Sequence, residues 1–192
     1  MNHMVRNFAG RLRDRARRGV AAVEFALTLP IWIMLLLGVG DGAYFLLVNE
    51  KVDRIAYTVT DIVTQYQTIT KANLNDISLA ASQLMQPISF SGGNGVVIIS
   101  SIYQPATGSP VVEWQYMYPN NQSSQTSKVG SVNGTAILPN GLTLNANDNV
   151  IVSEVYYQFT PIFGYKSMFT AGSIYRTAVY KPRLSPLTTP PT

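Results

Sequence analysis

The sequence predicts an α+β protein built on a long N-terminal transmembrane helix, and three observations carry that expectation. Residues 20–48 are almost wholly apolar, with Glu24 and Asp41 as their only charges. Beyond them, apolar residues recur at helical spacing as far as Ile69 and again after Thr70. From Gly95 onward the pattern changes to short runs rich in Val, Ile, Tyr and Thr, separated by Gly, Pro and Asn. A long helix continuing into an amphipathic stalk, then a short helix packed on a small antiparallel β-sheet, accounts for all three.

The first element is a basic leader, residues 1–19. Its six arginines against Asp14 give a side-chain charge of +5, whereas the other 8 bases and 9 acids leave residues 20–192 at −1. The overall +4 therefore belongs to a leader and does not describe a nucleic-acid-binding surface. A basic flank of this kind is retained in the cytoplasm and sends the rest of the chain outward.

Residues 20–48 form the expected transmembrane helix. At about 1.5 Å of rise per residue, Glu24 and Asp41 stand roughly 26 Å apart, close to the roughly 30 Å of the hydrocarbon layer. Each acid can then lie near one boundary. Pro30 lacks an N–H and should kink the helix. Gly38 and Gly42 form a G-x-x-x-G, which permits close helix packing or local flexibility. A cleavable secretory signal would use Gly38 and Gly40 as small residues after an apolar core. Glu24 and Pro30 interrupt such a core, and the helical periodicity continues past the cut.

Residues 49–86 supply the stalk and a second helix. Val52, Ile55, Val59, Ile62, Val63, Tyr66 and Ile69 mark one face of the stalk; Leu74, Ile77, Ala81 and Leu84 mark the second helix, ending before Pro87. Strands are expected over 96–104, 111–118, 149–159 and 173–181, within a β-rich head of residues 95–183. The first of them is nearly continuous in apolar residues and should be central. Residues 119–134 read as an exposed polar loop, and the Pro-rich tail 184–192 as extended or disordered.

Few catalytic schemes survive this composition. There is no cysteine, and the only histidine is His3, so nucleophile–imidazole pairs and thiolate metal sites are excluded beyond the leader. Asp148 among Asn145, Asn147 and Asn149 offers oxygen ligands, but a turn before a strand explains the same residues. No phosphate-binding G-x-x-x-x-G-K-[ST] occurs. The sequence implies no enzyme, cofactor or metal. Most of the head's aromatics, Trp114, Tyr116, Tyr118, Tyr156, Tyr157, Phe159, Phe163, Tyr165, Phe169, Tyr175 and Tyr180, are assigned to sheet packing.

Arg18-Gly19-Val20-Ala21-Ala22-Val23-Glu24-Phe25, continuing through Leu29-Pro30, resembles the processing motif of TadE-like proteins, minor pilins or pseudopilins of the tight-adherence (Flp) type IV pilus system. The likeness extends to Asp41-Gly42 and, more loosely, to residues 150–164 and 174–183. It implies a pilin-like fold and cleavage by a prepilin peptidase between Gly19 and Val20, which would make Glu24 the fifth residue of the mature chain. It also implies assembly roles for Glu24 and Phe25, with Pro30, Gly38 and Gly42 shaping the helix. The implied partners are other pilins or minor pilins, an assembly platform in the inner membrane and the bilayer itself, with the head in the periplasm or carried into an extracellular pilus. An unprocessed periplasmic scaffold or binding module is the alternative.

Overall fold

A computed structural model describes residues 2–90, 93–119, 125–163 and 171–192, with residues 2–19 described through their backbone. Helix α1 runs Asn2–Val63 and α2 Lys71–Gln83; four strands follow, β1 Gly95–Tyr103, β2 Val111–Tyr118, β3 Asn149–Phe159 and β4 Gly172–Tyr180. They form one antiparallel sheet in the order β2-β1-β3-β4. The α+β expectation holds, and the strand bounds agree with the sequence reading to within one residue. β1 is central, as its continuous apolar run requires, and so is β3, whose residues are nearly all buried.

The helix that was expected to stand as a stalk is instead the spine of the head. Val48, Val52, Ile55, Ala56, Val59 and Val63 are all at most 1% exposed and face Val97, Ile99, Ile151, Val155 and Phe159 on one side of the sheet. This spacing places the stripe on a single helix face. Within the seam, Thr60 and Ser153 hydroxyls lie 2.5 Å apart, and each is 2.7 Å from the Ala56 carbonyl oxygen. Two hydroxyl hydrogens serve three contacts, so the Ala56 carbonyl is never left unpaired.

α1 also ends earlier than its periodicity indicates. It stops at Val63, and Ile69 reaches the core from the connection to α2 rather than from the stalk. Thr70 caps α2: its side chain accepts from the Asn73 N–H, and the Asn73 side chain accepts from the Thr70 N–H. At the other end of α2, Lys51 on α1 donates to the carbonyls of Leu84 and Gln86, both at 2.9 Å. A cation there satisfies two orphan acceptors and opposes the helix dipole.

The loop after β2 and the tail are both tied to the sheet. The described residues of the polar loop, 125–134, are exposed or partly exposed apart from Val129, which packs with Ala136 against Ile102, Val112, Val150 and Val152 on the sheet face opposite α1. Asn133 N–H donates to Val112 O and Val112 N–H to Gly134 O, tying this segment to the edge strand β2. Residues 120–124 lie outside the described set. The tail is extended but not disordered. Leu187 is 3% exposed, its carbonyl accepts from Trp114 Nε1 and Ser101 Oγ at 2.7 Å each, and its N–H donates to Asn149 Oδ1 at 2.8 Å. A proline-rich segment has few donors of its own, so it is held by side chains reaching out from the sheet.

The aromatic assignments largely follow packing. Trp114, Tyr116, Tyr156, Tyr157 and Phe159 are buried, while Phe163 and Tyr180 are exposed; Tyr165 and Phe169 lie outside the described residues.

Candidate functional site

Between Val20 and Val39, α1 is apolar on all sides except at Glu24, and uncovered. Val20, Val23, Phe25, Leu27, Ile31, Trp32, Ile33, Leu35, Leu36 and Val39 are all exposed. A helix apolar all round needs lipid or other helices about it. The segment Val20–Val63 is the one described helix long and apolar enough to cross a membrane.

Glu24 interrupts this surface. Its side chain is exposed, and among the described residues no hydrogen bond or ion pair engages its carboxylate. Phe25 beside it is 62% exposed. The helix runs unbroken through Pro30, whose missing N–H leaves the Ala26 carbonyl without its usual donor. Two residues before the proline, Thr28 Oγ1 lies 3.1 Å from the carbonyls of both Glu24 and Phe25, a back-bonding pattern that often bends helices. Gly38 and Gly42 are half-buried. The backbone is helical on both sides of the Gly19–Val20 bond, so the leader continues α1 instead of standing apart from it.

At the other end of the apolar run the second acid is engaged. Asp41 is 1% exposed, and its Oδ1 accepts the consecutive N–H groups of Ile162 at 2.9 Å and Phe163 at 3.1 Å. Successive backbone N–H groups form a ready anion site, so the carboxylate is paired without a cation. The residue before it, Gly40, leaves room for the Phe163 ring, which would stand 3.0 Å from a Cβ at that position. The two stretches that carry the secondary resemblance, Asp41-Gly42 and Phe159-Thr160-Pro161-Ile162-Phe163, thus meet in space.

Residues 19–61 match the TadE-like protein family. The matched segment includes Gly19, Glu24 and the whole apolar run, and it continues onto the face of α1 that carries the sheet; α2, the sheet and the tail lie beyond it. No curated protein and no solved structure matches the chain. The TadE-like match associates the protein with the tight-adherence pilus and its other components, and together with the one described helix able to cross a membrane it points to a single-pass membrane protein.

Outside the TadE-like segment, a buried acid that the sequence reading passed over organises the outer layer. Glu154 on β3 is 0% exposed; its Oε1 accepts from Lys128 N–H and Tyr175 OH at 2.9 Å each, its Oε2 from Ser127 Oγ. Tyr156 OH lies 3.4 Å from Oε1 and 2.9 Å from Thr126 O, and Lys128 Nζ sits 3.9 Å above the Tyr175 ring. Burial, followed by the Glu154 charge, pushes the Tyr156 phenol up to about 12 and raises Tyr175 as well. The carboxylate's acceptor capacity is taken up by the loop and by Tyr175, so it clamps Ser127 and Lys128 and offers no open face to a substrate.

Asp148, the other oxygen cluster weighed from sequence, serves its turn. Its Oδ2 accepts from Asn145 N–H at 3.0 Å and pairs with Lys181 Nζ at 2.8 Å. The Lys181 hydrogen bond, then that from Asn145, holds the carboxyl below its ordinary value. Replacing Lys181 by methionine should raise it back toward that value, measured by NMR titration of the Asp148 carboxyl carbon; an unchanged midpoint would show that the pair contributes nothing in solution.

Proposed function

We propose that the protein is a TadE-like minor pilin or pseudopilin, a structural subunit of a tight-adherence pilus that is cleaved by a prepilin peptidase between Gly19 and Val20. The supporting observation is an exposed, unengaged Glu24 on an otherwise apolar helix, four residues after the cleavage bond and inside the TadE-like match. An acid placed in a bilayer core costs roughly 2.5–3.5 kcal/mol on insertion scales, so it is kept only with a partner or an interface nearby. Cleavage supplies that partner. It frees the Val20 amine, cationic below a pKa of roughly 8, one helical turn from the carboxylate.

That amine can neutralise Glu24 of its own chain or of a neighbouring subunit, which gives helix packing a fixed register. Removal of residues 1–19 also discards the charge of +5 that anchors the chain on the cytoplasmic side, easing extraction of the helix from the membrane. Glycine at 19 suits cleavage, because it costs about 1 kcal/mol relative to alanine in a helix interior and so lowers the barrier to opening the helix around the bond. In this reading the chain divides into leader 1–19, span 20–48, helical region 49–86, periplasmic head 95–183 and tail 184–192. Phe25 contributes apolar contact beside Glu24, and Pro30, Gly38 and Gly42 set the shape and closeness of helix packing.

The test is the intact mass of the native protein in cells with and without the peptidase. Loss of residues 1–19 is expected only where the peptidase is present, and Gly19→Leu should retain the leader in both. Glu24→Ala should be inserted and cleaved normally yet fail to co-purify with other pilus subunits. A leader retained in wild-type cells that build fibres would leave the unprocessed periplasmic scaffold as the reading.

A further inference from the structure

We propose that the segment just after β3, residues 160–163, is a second membrane contact: Ile162 and Phe163 dip into the outer face of the bilayer beside α1. The inference rests on the membrane placement of the TadE-like helix and adds a position for the head that this placement alone does not give.

Level is the first argument. Counting 20 residues from Val20 to Gly40 at about 1.5 Å each gives roughly 30 Å, the thickness of the hydrocarbon layer. Gly40 and Asp41 therefore stand at its outer boundary. The Phe163 ring lies against Gly40, and the Ile162 and Phe163 amides are held on Asp41, so these two residues are fixed at the same height.

Exposure is the second argument. Asp41 is 1% exposed, yet the two residues that cover it are themselves uncovered, Ile162 at 62% and Phe163 at 53%. The apolar helix surface continues alongside, with Val39 at 62% and Leu46 at 69% exposed. Two large apolar side chains held outward beside a spanning helix are matched by acyl chains and headgroups at the interface, where aromatic rings are enriched. The arrangement also explains why the carboxylate is paired with backbone N–H groups: the same bonds that satisfy Asp41 aim the apolar pair at the lipid.

Such a contact gives the head two attachments to the membrane, a helix and a loop, and so limits how far the head can tilt away from the bilayer surface.

Because the chain has no cysteine, single labels are specific. Full-length protein carrying Ile162→Cys, which leaves Phe163 in place, is labelled with a nitroxide and reconstituted into phosphatidylethanolamine–phosphatidylglycerol vesicles. Ile33→Cys in the span and Val132→Cys on the head provide references. Power-saturation EPR should find the labels at 162 and 33 more accessible to oxygen than to a nickel chelate, and the label at 132 the reverse. Adding Asp41→Ala should lose the lipid signature at 162 while leaving 33 unchanged.

A label at 162 that behaves like the one at 132, with 33 still in lipid, would overturn the loop contact alone. So would exclusion of both reagents from 162, which would mean that a second copy of the chain covers it. Nickel access at 33 would remove the membrane placement and the proposal together.

Discussion

Glu154→Leu is expected to detach the segment over the outer sheet face and destabilise the protein by about 3 kcal/mol, because three donors, Tyr175 OH, Ser127 OH and Lys128 N–H, lose a buried acceptor at about 1 kcal/mol or more each. Against a total stability of roughly 5–15 kcal/mol that is a large share. Glu154→Gln keeps an amide oxygen where Oε1 lies, and the Ser127 hydroxyl can turn to accept from the new amine, so its cost should stay below about 1.5 kcal/mol. The readout is local as well as global: trypsin should cut after Lys128 much faster in the leucine variant than in the wild type, with the glutamine variant between them. Equal protection in all three would show that Glu154 does not hold this segment.

The same site has an alkaline signature. Tyr156 and Tyr175 are raised in the fold by burial and then by the Glu154 charge, so the folded state holds protons that the unfolded state gives up above pH 10. Their contribution to stability is complete below pH 10 and is lost as pH rises toward about 12, the folded value of Tyr156. In Glu154→Gln the charge is gone while burial remains. The phenol absorbance titration should therefore begin at lower pH but stay above its ordinary value.

Glu154 also shows where sequence reasoning reaches and where it stops. The strands were legible because alternation, β-branched content and turn residues are local signals, and Thr70 announced α2 because a cap acts within one turn. The membrane helix was legible because length and apolarity suffice. In Val-Ile-Val-Ser-Glu-Val-Tyr-Tyr, by contrast, Glu154 looks like one polar residue in a strand. Its donors stand 21 to 27 residues away in the chain, on a polar loop and on β4, and no periodicity connects them.

The stalk shows a different limit. Its apolar stripe was visible as far as Ile69, but a stripe does not say whether it meets another subunit or the chain's own sheet. One face of the helix from Val48 to Val63 is buried by strands that begin at Gly95. Asp41 was legible as the acid near the end of the apolar run. Its partner loop was not, since 121 residues separate it from Ile162.

Deleting residues 184–192 is expected to have the largest structural effect of any change outside the helices, on the order of 4–5 kcal/mol. Burial of the Leu187 side chain contributes about 2 kcal/mol, and the buried groups it leaves behind, Trp114 Nε1, Ser101 Oγ and Asn149 Oδ1, cost roughly 1 kcal/mol each when unpaired. Composition argues the other way, because a tail with three prolines in nine residues cannot form a helix or a sheet strand. What the composition conceals is that a proline-rich chain still carries carbonyls, and Leu187 presents its carbonyl to an indole and a hydroxyl that have nowhere else to turn inside the head. Leu187→Ala keeps those hydrogen bonds and removes only apolar contact, so it should cost about 2–3 kcal/mol and separate the two contributions. The chain has two tryptophans, and a Trp32→Phe background leaves Trp114 as the reporter. In full-length protein in detergent, the truncation should move Trp114 emission to longer wavelength and lower the urea midpoint, with Leu187→Ala lowering the midpoint by about half as much. Unchanged emission and midpoint on truncation would mean that the tail lies on the head without holding it.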